Sequence, residues 1–192
     1  ILRGINMALT TLDAKTALIV IDLQHGIVRL PVTPLAADVV VERCAQLVDA
    51  FHAKNLPVVK VNVAGGAPGR NEQARHSGEL PADWAVLVPE MALQAGEIAA
   101  TKTTWGGFHN TDLHAQLQER GVTQVVVCGI AISIGVESTA RQVYELGYNV
   151  TSATDAMTCI NAEMHKNRIE RILPRLGEIG SMADVVELLK SF

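Results

Sequence analysis

Residues 124–140 constrain the fold more than any other stretch of this chain. Gln124-Val125-Val126-Val127-Cys128 is a β-branched apolar run, the pattern of a strand buried on both faces. The run breaks at Gly129-Ile130-Ala131. Val136, Ala140, Val143 and Tyr144 then recur at helical spacing on one face. This is a strand, a tight turn and a helix. In an open α/β sheet such a turn sets the free amides of a helix N-terminus at the carboxyl end of a central strand, where ligands bind. Helix amides suit a carboxylate or a developing oxyanion. The turn therefore reads as the floor of an active site.

The rest of the chain supplies the sheet. Ala17-Leu18-Ile19-Val20-Ile21-Asp22 reads as a central parallel strand with Asp22 at its carboxyl edge. Residues 36–54 predict a helix whose Val40, Cys44, Leu47, Val48 and Phe51 share a face, stopped by Asn55 and Pro57. Residues 57–63 predict a second strand, and 64–83, rich in Gly, Pro and Arg without a period, a long functional loop. A weaker strand over 97–102 ends in Lys102. A helix opens after Thr111, the expected N-cap, and stops at Gly121. Further expected elements are a strand over 149–153 ending near Asp155, a helix over 162–173 before Pro174, a short strand at 176–179 and a last helix carrying Met182, Val185, Val186 and Leu189. Alternating strands and helices predict a three-layer α/β/α sandwich around a six-stranded, mainly parallel, Rossmann-like sheet. A length of 192 residues gives one domain, expected over 12–192, with 1–11 an N-terminal extension. Met7 as the native start would make 1–6 an upstream remnant.

Charge and cysteine usage remove several function classes. A net charge of −4 with no Lys/Arg stripe argues against nucleic acid. No apolar run approaches the roughly 20 residues that cross a bilayer. Three cysteines form no disulfide framework, and no CxxC or paired-His spacing suggests a metal. A cytoplasmic, reduced protein without metal or cofactor is expected, acting on a small molecule.

Three strand ends then converge on one sheet edge: Asp22, Lys102 and the 129–135 turn. An acid and a base beside amide donors form a plausible catalytic constellation, in which burial would raise the Asp22 pKa and Lys102 would lower it. Either residue alone has a plainer reading, Asp22 as a helix cap and Lys102 as a solvated charge. Ser133 shares the turn, but Ala131-Ile132-Ser133-Ile134-Gly135 lacks the first glycine of G-x-S-x-G, which favours a helix cap. Ser138, one turn into the helix, reads as structural. Cys44 and Cys128 read as small hydrophobes, while Cys159 lies near the sheet edge. Gln24 and His25 are expected on the pocket side; His109 and His165 are expected at the surface. Trp105 and Phe108 either wall a pocket for a planar substrate or pack against a neighbouring subunit.

Ile21-Asp22-Leu23-Gln24, Lys102-Thr103-Thr104-Trp105-Gly106-Gly107-Phe108 with Thr111-Asp112-Leu113, and Gly129-Ile130-Ala131 through Gly135-Val136-Glu137-Ser138-Thr139-Ala140 occur in this order, followed by Asp155-Ala156. In this the chain resembles the isochorismatase-like hydrolases, the cysteine-hydrolase superfamily, from about Thr16 to Leu189. The resemblance implies a catalytic acid/base at Asp22 with Lys102 as its partner. It implies a cis peptide between Ile130 and Ala131 that aims the Ala131 and Gly135 amides at one oxyanion, and a homo-oligomer, dimer or tetramer. Amide-cleaving members carry their nucleophilic cysteine where this chain has Gly135, and the nicotinamidase metal ligands are missing from Asn62-Val63-Ala64-Gly65-Gly66. True isochorismatases are similar in having Ile-Gly at Ile134-Gly135. That similarity implies acid-assisted hydrolysis, on a vinyl ether, without a thiol intermediate. An amide or ester hydrolase using water activated by Asp22, or a non-catalytic binder that kept the pocket, are the alternatives.

Overall fold

The computed structural model describes residues 9–72 and 79–192. Its strands are β1 (Thr16–Ile21), β2 (Val58–Val63), β3 (Ile98–Lys102), β4 (Gln124–Ile130), β5 (Asn149–Thr158) and β6 (Glu178–Gly180). The helices are α1 (His25–Val28), α2 (Ala37–Ala53), α3 (Leu113–Glu119), α4 (Glu137–Glu145), α5 (Ala162–Asn167), α6 (Leu173–Leu176) and α7 (Met182–Leu189). The strands form one sheet in the order β3-β2-β1-β4-β5-β6, and every pairing is parallel. All strands therefore end on the same edge. The order reverses between β1 and β4, which is where such sheets open a crevice for ligands.

Alternation along the strands builds a core on each face. Leu18 and Val20 of β1, with Val126, Cys128 and Ile130 of β4, pack against Val40, Cys44, Leu47 and Phe51 of α2 and Val185 and Leu189 of α7. Ala17, Ile19 and Ile21, with Val125 and Val127, face Leu113 and Leu117 of α3 and Ala140 and Val143 of α4. Period-two alternation with both faces apolar leaves a central parallel strand no solvent side, so β1 and β4 read as unbroken hydrophobic runs. Truncating one such side chain, Leu18→Ala for example, costs about 2–5 kcal/mol.

Several expected boundaries move. The strand expected over 149–153 continues to Thr158, with its register to β4 shifting between Val127↔Ser152 and Gly129↔Met157. The slack carries Asp155, whose carboxylate accepts from the Met182 amide (2.6 Å) and whose carbonyl accepts from Arg43 (2.6 Å). Asp155 thus ties β5 to α7 and α2. The helix expected over 162–173 is interrupted by a wider, π-type turn at Arg168–Ile172, and Pro174 sits in the first turn of α6. There its missing N–H costs little. Thr111 does not cap α3: its hydroxyl donates to the Gly107 carbonyl (2.7 Å). Tyr144 is 54% exposed, so the buried stripe of α4 is Thr139, Ala140 and Val143. Among the described residues no helix is long and apolar enough to cross a membrane.

Candidate active site

The site begins where β1 ends. Asp22 leaves the strand in the left-handed region (φ 55°), a conformation that Asp tolerates better than most residues. Its amide still donates to the Val61 carbonyl (2.8 Å), so the turn is anchored to β2. On the other side β4 passes close by at Gly129 (φ 122°), where a Cβ would run into the Ile21 carbonyl. Only glycine satisfies both the dihedral and the approach.

Lys102 ends β3, an edge strand whose side chains alternate between buried and exposed. It falls on the buried register and reaches across the end of β2. Its side chain is 2% exposed, and the ammonium donates to Asp22 Oδ2 at 2.7 Å and to the Thr104 carbonyl at 3.4 Å. The third contributor is the turn Ile132–Val136 that opens α4. It follows a cis Ile130–Ala131 peptide bond and winds on the Ala131 carbonyl, which accepts from Ile134 (3.0 Å) and Val136 (3.2 Å). The turn delivers Gly135 to the ion pair. A Cβ at position 135 would lie 2.7 Å from Asp22 Oδ2, 3.0 Å from Ile21 Cγ2 and 3.4 Å from Lys102 Nζ. Three segments far apart in sequence thus meet at one point, and the Asp22 carboxyl fills the space that a side chain at 135 would need.

Burial dominates the electrostatics. Asp22 is 4% exposed. Loss of hydration pushes its carboxyl up to about 6 from 3.8, against the opposing charge and hydrogen bond of Lys102. Its Oδ1 is buried without a hydrogen-bond partner among the described residues, and so is the Thr104 hydroxyl two residues beyond Lys102. Thr139, fully buried on the first turn of α4, donates to the Gly135 carbonyl (2.7 Å) and accepts from the Gly107 amide (3.0 Å). It clasps the loop after Lys102 to the turn that carries Gly135.

Other expected site residues stand elsewhere. Gln24 is fully buried, and its amide is committed to backbone: Nε2 donates to the Val63 and Trp84 carbonyls (both 2.9 Å), and Oε1 accepts from the Val63 amide (2.7 Å). It holds two loops together instead of facing a substrate. Phe108 packs against the α3–α4 core, its ring 6.5 Å from that of Tyr148, because the loop turns down over the sheet face. Trp105 is 63% exposed. Ser133 caps no helix; its hydroxyl lies 3.0 Å from the buried Cys159 thiol. His165 is buried, not at the surface, and burial lowers its pKa. His109 is exposed, His25 is half-buried on α1, and Cys44 and Cys128 are core residues. Thr104 and Thr139 carry no periodic or charged signal that would have drawn attention to them. Among the described residues no group of three His, Cys, Asp or Glu side chains could hold a metal ion.

Comparison with known proteins agrees with this architecture. The family model described as the isochorismatase domain matches residues 16–184. The uncharacterized isochorismatase family protein YwoC of Bacillus subtilis is 44% identical over 183 residues, covering 92% of this chain and 95% of that one. A solved structure of an isochorismatase family protein from Burkholderia thailandensis superposes with a TM-score of 0.89 at 38% identity, covering 94% of this chain and 98% of the other. A more distant relative, the ureidoacrylate amidohydrolase RutB of Variovorax paradoxus, is 33% identical over 101 residues, 52% of this chain and 40% of that one. A six-stranded parallel sheet, an Asp22–Lys102 pair at its switch point and a match over nearly the whole chain lead to one assignment: this chain belongs to the isochorismatase family.

Proposed function

We propose that this isochorismatase-family hydrolase cleaves a small vinyl ether by acid catalysis from Asp22, with no covalent intermediate. The observation that carries the reading is the Asp22 carboxyl itself: buried, pushed up to about 6, and occupying the space beside Gly135 where a thiol would have to stand. A carboxyl with that pKa holds a usable fraction of its proton near neutrality, which a general acid requires.

In the proposed reaction Asp22 gives its proton to the terminal CH2 of CH2=C(R)–O–R′. The double-bond electrons form the new C–H bond, and the adjacent carbon becomes an oxocarbenium ion. Water adds to that carbon, and its proton returns to the Asp22 carboxylate. The resulting hemiketal collapses to a ketone and the alcohol R′OH, so the net change is addition of one water. Lys102 orients the carboxyl and meets anionic charge on the substrate. The Ala131 and Gly135 amides hold a substrate oxygen, and the absence of a side chain at 135 lets the Asp22 carboxyl stand directly against the turn. Trp105 is the aromatic residue available to cover the substrate.

The Lys102 contact favours one other reading. An ammonium at 2.7 Å stabilises the carboxylate form, which would suit Asp22 as a base activating water on an amide or ester, in line with the activity named for the amidohydrolase relative. The pH profile separates the two. An acid role makes kcat/KM fall tenfold per pH unit above about 6, whereas a base role makes it rise up to that point and then level off. The test is a panel of vinyl ethers, amides and esters assayed across that range with wild type and Asp22→Asn. A profile rising through pH 6, or turnover surviving in Asp22→Asn, would sink the vinyl-ether reading. Ligand-induced thermal stabilisation with no turnover of any panel member would make the protein a binder.

A further inference from the structure

Two buried polar atoms at the site are left over once every hydrogen bond has been assigned. Asp22 Oδ1 and Thr104 Oγ1 have no partner among the described residues. Both belong to residues that touch one ammonium: Lys102 donates to Asp22 through Oδ2 and to Thr104 through its carbonyl. A buried carboxylate oxygen or hydroxyl without a partner keeps its full desolvation penalty, so native proteins rarely leave one unexplained. Two of them on residues held by the same cation share a requirement. Oδ1 of an ionised Asp22 needs a donor, and a threonine hydroxyl can donate or accept.

The geometry points to Thr104 as the residue that holds the attacking water between its hydroxyl and Asp22 Oδ1. This inference rests on the proposed hydrolysis and adds to it the group that places the nucleophile. After Asp22 has given its proton to carbon, Oδ1 is a carboxylate oxygen facing the oxocarbenium ion. The water bound there accepts from Thr104, attacks the cationic carbon to form the new C–O bond, and passes one proton to Oδ1. Asp22 is thereby reprotonated for the next turnover, and no other reactant is consumed. A water in this position has Asp22 Oδ1 and Thr104 Oγ1 as its two polar partners, the fewest a buried water takes, and the substrate carbon as its target. Thr104 is a positioning residue: its hydroxyl neither donates the reacting proton nor bonds the substrate carbon.

The test uses the full chain with Thr104→Val, which keeps the shape and removes the hydroxyl, and Thr104→Ser, which keeps the hydroxyl. The readout independent of substrate is the titration of the Asp22 carboxyl, followed by carbon-13 NMR. Losing the bound water leaves the carboxylate poorer by one donor, so Thr104→Val is expected to raise the midpoint by about half a pH unit or more. On the substrate found by the panel, kcat is expected to fall about tenfold in Thr104→Val with KM within about twofold, and Thr104→Ser to stay within about threefold of wild type. Thr104→Val should melt no lower than wild type, because it removes a hydroxyl with no partner among the described residues. An unshifted titration together with unchanged kcat overturns the inference, and so does a Thr104→Ser variant as slow as Thr104→Val, which would make the methyl group responsible. The two proposals fail separately. If no vinyl ether is hydrolysed but the titration still shifts, the substrate reading falls and the water site stands. If vinyl ethers are hydrolysed and neither readout moves, only the water site falls.

Discussion

Lys60 meets Glu97 at 2.8 Å and Lys102 meets Asp22 at 2.7 Å, and all four side chains are shielded from water, to 1% exposed on either side of the first pair and to 2% and 6% in the second. Their surroundings differ. Glu97 Oε2 also accepts from the Gln94 amide (2.6 Å), and Lys60 donates to the Ala92 carbonyl (2.8 Å). Glu97 Oε1 lies 3.1 Å from His52 Nε2 on α2, close enough for an ion contact though off the hydrogen-bond direction. That pair staples the segment ahead of β3 to β2 and α2. The Asp22 carboxyl receives Lys102 alone among the described residues, and its second oxygen is buried without a partner among them. Burying a lysine beside a carboxylate is therefore not what marks a reactive group. The mark is a carboxyl whose desolvation is only partly offset, so that its proton is held with intermediate strength.

Breaking each pair in turn gives the largest effects. Asp22→Asn keeps the side-chain volume and removes the transferable proton, so kcat/KM on the hydrolysed substrate is expected to drop about 10²–10⁴-fold. Glu97→Gln leaves Lys60 buried against a neutral amide and should cost about 3–5 kcal/mol of unfolding free energy, read from urea denaturation. Below its melting range that variant should turn over within about threefold of wild type, since the two pairs share no partner. A Glu97→Gln protein that is stable but inactive would erase the distinction.

Stability against pH sharpens it next. The folded state holds the Asp22 proton more tightly than the unfolded chain does. The contribution is complete below the ordinary value of 3.8 and is lost as pH rises through about 6. At full development it amounts to about 3 kcal/mol. Urea unfolding of wild type and Asp22→Asn from about pH 4 to about pH 7.5 should show wild type losing about 2.4 kcal/mol relative to the variant, since at pH 4 part of the contribution has already gone. Parallel curves would mean that Asp22 is ionised throughout and acts as a base.

The sequence makes strand ends legible because parallel strands all point one way: once 17–22, 97–102 and 124–130 are strands, Asp22, Lys102 and the turn share an edge. It does not show reach. Lys102 stands two strands away from Asp22, level with Val63 at the end of β2, and only side-chain length brings the ammonium to Oδ2. Nor does it show the path of a loop. Phe108 follows the same motif as Lys102, yet the backbone turns down over α4, where Gln142 accepts from the Phe108 amide (3.0 Å) and the ring meets Tyr148. Position on a helix is equally sensitive to local winding: the wider turn at Arg168–Ile172 breaks the regular period after α5, the helix whose His165 is buried. Hydroxyls such as Thr104 and Thr139 have no period at all, and only their partners, or the want of them, reveal what they do.

The smallest expected effect isolates the clasp that one pair has and the other lacks. Thr139 joins the Gly107 amide to the Gly135 carbonyl, holding the turn against the Asp22 carboxyl. Thr139→Val removes both bonds without opening a cavity. The turn then relaxes away from the ion pair, and a misplacement of this kind lowers kcat while leaving ground-state binding almost intact. About a tenfold loss in kcat with KM within about twofold is expected, equivalent to about 1.4 kcal/mol, and Thr139→Ser should restore most of it. Hydrogen exchange should quicken at residues 104–108 and 131–136 and stay unchanged at 92–97, beside Lys60 and Glu97. Quickening spread evenly over both regions would show that Thr139 holds the whole core together and not the site, and the Asp22–Lys102 pair would then owe its geometry to β1 and β3 alone.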